Sequence, residues 1–172
     1  MTWQRKAQFV TVDQAIQKLE KYCAYQERSQ KHVQEKCRSL GLTESEAGEV
    51  MIHLLQNDFL NESRFAFAFV RGKSRIKGWG IQKIRQGLKL AGVSDALIKK
   101  SLEQLDDNTT EVQIEKWTSK KLKQLGYSEE EIQFIQEGVK KISFEEKQKI
   151  KAFLFQKGFV IDRINATLNF LN

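Results

Sequence analysis

Proline is absent from all 172 residues, and cysteine and histidine occur only twice each. Without proline, nothing in the chain breaks a helix from within or demands a cis turn. Cys23 and Cys37 are too few for a disulfide framework and too widely spaced for a CxxC motif. A reducing compartment is therefore expected, with both thiols buried as small apolar groups. His32 and His53 have no Cys or His at ligand spacing, so they read as packing or surface groups and no metal site is expected. Long apolar runs are missing too. Nothing approaches the roughly 18 residues of a membrane span, and the opening MTWQRKAQFV lacks the apolar core of a signal peptide. The expectation is a cytosolic protein. A P-loop, a Rossmann glycine fingerprint and a GxSxG elbow are all lacking, which argues against an enzyme and against a nucleotide cofactor.

Negative charge is missing in one place. Between residues 63 and 94 there is no Asp or Glu, while Arg64, Arg71, Lys73, Arg75, Lys77, Lys83, Arg85 and Lys89 all fall inside. Those eight cations exceed the net charge of the whole chain, +7, so the remainder is nearly balanced. Such a concentration suggests a polyanionic partner.

What is present reads as helix. Capping boxes, in which a Ser or Thr and a Glu or Gln three residues later satisfy each other's backbone N–H groups, occur at Thr11/Gln14, Thr43/Glu46, Ser128/Glu131 and Ser143/Glu146. Gly41, Gly92, Gly126 and Gly158 each end a stretch of helical periodicity, where a left-handed residue closes a helix most cheaply. The stretch FAFAFV, 65–70, alternates like a strand, but its neighbours are helical and Asn61 can cap it, so a helix is expected. The glutamates at 129–131 and 145–146 fall at helix N-termini, where carboxylates suit the dipole.

Aligning the glycines reveals a repeat. Counted from Gly41, Gly92 and Gly158, apolar residues recur eight before, four before, one after, six after, ten after and thirteen after, the last set being Leu54, Leu105 and Leu171. Each block is a helix, a glycine turn and a second helix with matching inner faces. Gly126 fits less well, because Thr118 and Gln136 interrupt its pattern. The spacing is too uneven for a regular solenoid, so related helical subdomains are expected. The division expected is an N-terminal segment and leading helix at 1–28, three-helix units at 29–76 and 77–126, and an extra helix at 127–141 with a third unit completing 127–172. Phe65, Phe69, Leu88, Leu102, Phe153 and Phe159 are expected to pack the units.

In the basic stretch RGKSRIKGWGIQKIR, Arg71, Lys73, Arg75 and Lys77 alternate with Gly72, Ser74, Ile76 and Gly78. This reads as a flexible linker presenting four cations. On the helix that follows, Lys83 lies ahead of Arg85 and Lys89, which share a face at i,i+4 and repel. A phosphate backbone would neutralise them, releasing counterions. The candidate contact set is therefore Arg71, Lys73, Arg75, Lys77, Lys83, Arg85 and Lys89, with the terminal Lys147, Lys149, Lys151 and Lys157 as the alternative. Gly78-Trp79-Gly80 could cradle a phosphate on backbone N–H groups. Trp79 could stack on a base or plug the interface between units, and its flanking glycines favour the plug.

These segments resemble the RecX regulatory proteins. Arg28-Ser29 with KCRSLGL, LNESRFAFAFV, KGWGIQKIRQGLKLAGV and FLFQKGF are similar to that family's motifs and follow their order across nearly the whole chain. Trp79 stands where the family has proline, Lys157 where it has arginine, and Asn61 and Ser63 where acids are common. The resemblance implies an all-α fold of tandem three-helix units forming an elongated, curved arrangement. It also implies a monomer without cofactor or membrane that binds the RecA filament and, more weakly, single- and double-stranded DNA. RecA's ATPase, strand exchange and co-protease activity would fall. The alternative is a stand-alone DNA- or RNA-binding protein using the strip 64–89. Against it, base-edge readers are not concentrated on the helix at 81–90 beyond Gln82, Arg85 and Gln86.

Overall fold

The computed structural model describes residues 10–168. Leu171 of the repeat and the segment 1–9 lie outside them. Every regular element among the described residues is an α-helix: α1 (Val12–Tyr25), α2 (Gln30–Ser39), α3 (Glu44–Gln56), α4 (Glu62–Arg75), α5 (Ile81–Leu90), α6 (Asp95–Leu102), α7 (Asp107–Gln124), α8 (Glu129–Gln136), α9 (Phe144–Gln156) and α10 (Ile161–Thr167). None of these helices is long and apolar enough to cross a membrane.

The helix ends follow the local chemistry. All four expected capping boxes form, at α1, α3, α8 and α9. A fifth uses an imidazole: Ser29 Oγ accepts the His32 N–H at 3.2 Å, and His32 Nδ1 accepts the Ser29 N–H at 3.3 Å. Gly41, Gly92, Gly126 and Gly158 have φ of 81°, 82°, 99° and 93°, the left-handed turn expected of them.

The buried side chains form three clusters. Ala15, Leu19, Cys23, Val33, Val50 and Leu54 join α1, α2 and α3. Phe65, Val70, Ile84, Leu88, Ile98 and Leu102 join α4, α5 and α6. Ile114, Leu122, Ile135, Ile150, Phe159 and Ile164 join α7, α8, α9 and α10. The helix-to-helix packing follows the same grouping, with α1 on α3, α4 on α5 and α6, and α7 on α9 and α10.

The clusters draw the unit boundaries one helix upstream of the division at 29–76 and 77–126. Each glycine-turn pair is closed by the helix before it. Phe65, Ala66 and Val70 of α4 are buried in the α5–α6 cluster, and Phe65 also meets His32 of α2 edge-on at 5.5 Å. The weak fit of Gly126 has its cause here as well: it closes α7 before the additional helix α8, which contributes Ile132 and Ile135 to the third cluster. Thr118, which interrupts the apolar pattern, is fully buried, and its hydroxyl donates to the Ile114 carbonyl at 2.8 Å.

Both cysteines are free and buried in the first cluster, where burial pushes their thiols above the ordinary value. A thiol raised in this way holds little thiolate and is inert.

Candidate nucleic-acid interface

FAFAFV is helical, and α4 does not stop at Val70. It continues to Arg75, so Arg71, Lys73 and Arg75 lie on its last turns and the expected flexible linker does not exist there. Two packing features carry the helix on. Ser74 is buried and donates to the Arg71 carbonyl, and Lys73 lies with its Nζ 5.1 Å from the Phe69 ring and 4.8 Å from Trp79. Gly78, at φ 59°, then turns the chain. The N–H groups of Gly78 and Trp79 return to the carbonyls of Ser74 and Lys73 at 3.0 and 2.9 Å.

The seven candidate residues divide by environment. Arg71, Arg75, Lys77 and Arg85 are exposed and form no salt bridge among the described residues. Arg75 adds a minor pull on Asp106, whose carboxyl is held low mainly by the Thr109 N–H. Lys89 is compensated, because its Nζ lies 3.2 Å from Asp95 and so offsets the repulsion with Arg85. Lys73 and Lys83 are half-buried, with their Nζ atoms 4.8 and 4.9 Å from the Trp79 ring. Arg64, in the same run, is held by Glu27 and Asp58, each at 2.7 Å.

Trp79 is not a free stacking platform, nor does it plug two units. It packs within the second cluster, edge-on to Phe69 at 6.5 Å. The plug is Trp117 of α7. Its indole Nε1–H donates to the Gly78 carbonyl at 2.7 Å, and its ring meets Phe153 at 5.7 Å. Lys157 and Lys120 sit over that ring at 3.7 and 5.0 Å. Burial first, then Lys83 and Lys120, depress the Lys157 ammonium below its ordinary value.

The proposed phosphate cradle at Gly78-Trp79-Gly80 is already occupied. The Gly80 and Gln82 N–H groups donate to the carbonyls of Lys157 and Gly158 at 2.9 and 3.0 Å. The start of α5 is thus docked on the α9–α10 turn. A Cβ on Gly80 would collide with the Gly158 and Phe159 backbone, and one on Gly158 would collide with Lys83. Paired glycines are what this approach requires.

Residues 61–102 match the family model described as RecX, second three-helix domain. That span runs from the α4 N-cap to the end of α6. The regulatory protein RecX of Bacillus licheniformis is 30% identical over 158 residues, covering 91% of this chain and 55% of that protein. The chain belongs to the RecX family. It spans about half the length of that first relative; the RecX of Bacillus mycoides is 25% identical, with 86% of this chain and 71% of that protein aligned. Among solved structures, RecX from Lactobacillus salivarius superposes with a TM-score of 0.74 at 23% identity, over 94% of this chain and 96% of its own. A second structure titled regulatory protein RecX gives 0.75 at 18% identity, over 92% and 71%. These superpositions show the shared fold.

The motifs that carry the RecX resemblance sit at junctions between clusters. KGWG meets QKGF through the Gly80 and Gly158 contacts. Trp79 in place of proline supplies the N–H that returns to Lys73. LNESRF supplies Glu62, which accepts the Gln30 N–H at 2.9 Å, and Arg64, which reaches Glu27 beside Arg28-Ser29. The seven candidate residues omit Lys116, Lys120 and Lys157, which the fold brings beside Lys77 and Lys83. Lys157 appears only in the alternative set. Lys116 and Lys120 carry no local signal, since α7 is a mixed-charge helix and its approach to Gly78 is tertiary. Among the described residues no group of three or more His, Cys, Asp or Glu could hold a metal ion.

Proposed function

We propose that this chain binds the RecA recombinase filament on DNA and inhibits its ATPase, strand-exchange and co-protease activity. It acts in the cytoplasm as a monomer, by occupancy and without chemistry of its own. The observation that carries the reading is the acid-free run across α4 and α5, where Arg71, Arg75, Lys77 and Arg85 are exposed and without salt bridges among the described residues. Family membership supports it, because the curated relatives are named regulatory protein RecX. The seven residues Arg71, Lys73, Arg75, Lys77, Lys83, Arg85 and Lys89 form the electrostatic contact set, and successive small units give several contact points along a repeating partner. A ligand that prefers one filament state shifts assembly by its differential affinity alone.

The test is RecA's single-strand-DNA-dependent ATP hydrolysis, titrated with this protein. Inhibition well below one copy per recombinase monomer is expected. It should be lost in Arg71→Gln/Arg75→Gln/Lys77→Gln/Arg85→Gln, which spares Lys73 and Lys83 because their ammonium groups lie over the Trp79 ring. No inhibition, with salt-dependent binding to bare DNA intact, would instead assign a stand-alone nucleic-acid binder.

A further inference from the structure

A cleft of about 290 Å³ opens where the end of α4 meets α7. Its walls carry Arg75 and Lys77 from one side and Lys116 and Lys120 from the other, with Trp117 and Gln113 between them and no carboxylate. All four cations are exposed. Four like charges around one small cavity repel unless an anion sits among them, and the cleft walls offer none. The depressed ammonium of neighbouring Lys157, pushed down in part by Lys120, reports the same positive field.

The cleft is also preformed. Trp117 Nε1–H is bonded to the Gly78 carbonyl on its wall, and a Cβ on Gly78 would run into Trp117 and Gln113. Docking of Gly80 and Gln82 on the α9–α10 turn fixes the two sides relative to each other. A phosphate entering would therefore meet walls already in place, and only the exposed side chains would be left to order.

We infer that this cleft binds a phosphodiester group of a nucleic-acid strand, held by Lys116 and Lys120 of the third unit together with Arg75 and Lys77. The inference rests on the basic strip facing nucleic acid and extends it across the junction, since two of the four cations belong to the strip and two do not. A free nucleotide shares the phosphate chemistry. The strand is favoured because Arg75 and Lys77 continue into Arg71, giving adjacent phosphates a path out of the cleft.

The experiment is fluorescence anisotropy with a labelled fifteen-residue oligothymidylate over a salt series, on the full chain. Lys116→Gln/Lys120→Gln is compared with Lys99→Gln/Lys100→Gln on α6, which removes the same charge elsewhere; circular dichroism checks that both fold. The first pair should bind about tenfold more weakly and lose about 0.7 of salt slope per phosphate contact removed, while the control changes about twofold or less. If Lys116→Gln/Lys120→Gln binds like wild type while Arg71→Gln/Arg85→Gln is weakened, the cleft is overturned and the strip stands. If neither pair is weakened, both fall. In parallel, the Trp117 indole N–H resonance is followed by NMR against the oligonucleotide and against ATP. A shift with the oligonucleotide supports the strand, and a shift with ATP alone overturns it.

Discussion

Gly158 combines two constraints that single glycines usually meet separately. Its φ of 93° is left-handed, and the space a side chain would fill is held by Lys83 of α5. Gly126 has the same backbone sign, at 99°, with open space around it. Gly126→Ala should therefore cost only the left-handed strain, about 1–2 kcal/mol. Gly158→Ala adds overpacking of about 1–3 kcal/mol and pushes α5 off the α9–α10 turn. Urea midpoints of the two variants check this, and equal losses would mean the junction is loosely packed. Lys157, one residue earlier, makes a pH prediction. Its folded-state pKa lies below the ordinary 10.5 because of burial, Lys83 and Lys120. Across that window the unfolded chain binds more protons, so stability rises with pH up to about 10.5 and the penalty returns as pH falls through the depressed value. An NMR titration should find Lys157 titrating below the ordinary 10.5, and moving upward when an oligonucleotide neutralises the surrounding field.

At the scale of elements, α4 decides how the basic stretch is presented. Gly72 lies in its interior, where a Cβ would meet nothing within 4 Å. Gly72→Ala should stabilise the protein by about 0.5–1 kcal/mol, the usual gain at an unhindered helical position, measured as a raised thermal midpoint. A linker at 71–77 would show no such gain. Gly87→Ala is the contrast, because its Cβ would meet the Phe69 ring at 2.7 Å and should destabilise. The caps of α1, α3, α8 and α9 and the four glycine turns were legible because each is chemistry among residues a few positions apart. The end of α4 was not. Gly72, Ser74 and the interleaved cations have linker composition, and what overrides it is tertiary: Ser74 buried, and Lys73 laid over Phe69 and Trp79. The repeat located the helix–glycine–helix pairs, yet it could not say whether the third helix of each unit precedes or follows, since α4 abuts α3 and α5 alike in the chain. Trp117 was missed for the same reason, because its partner Gly78 comes from another unit.

In the molecule as a whole, each cluster holds nine buried side chains among the described residues. Cores this small are marginal alone, so the junctions matter to both stability and shape. The two junctions differ in kind. The second is backbone against backbone at Gly80 and Gly158, whereas the first is a polar clasp centred on Arg64. Its guanidinium bonds Glu27 Oε1 at 2.7 Å, Asp58 Oδ2 at 2.7 Å and the Asp58 carbonyl at 2.8 Å. Beside it Glu62 takes the Gln30 N–H, and Lys31 Nζ donates to the Leu90 carbonyl at the end of α5, at 2.9 Å each. Arg64→Lys keeps the charge but loses the planar fork whose separate nitrogens reach Glu27 and Asp58 together. It should leave helicity unchanged while loosening the first unit from the second. Spin labels at Lys18→Cys on α1 and Lys99→Cys on α6 report this directly, because Cys23 and Cys37 are buried and stay unlabelled. The expected result is a broadened distance distribution. If several units engage one filament together, that loosening lowers their effective concentration for one another and weakens RecA inhibition without touching any contact residue. A broadened distribution with unchanged inhibition would place the whole interaction on the second and third units, where the backbone junction holds the cations in register.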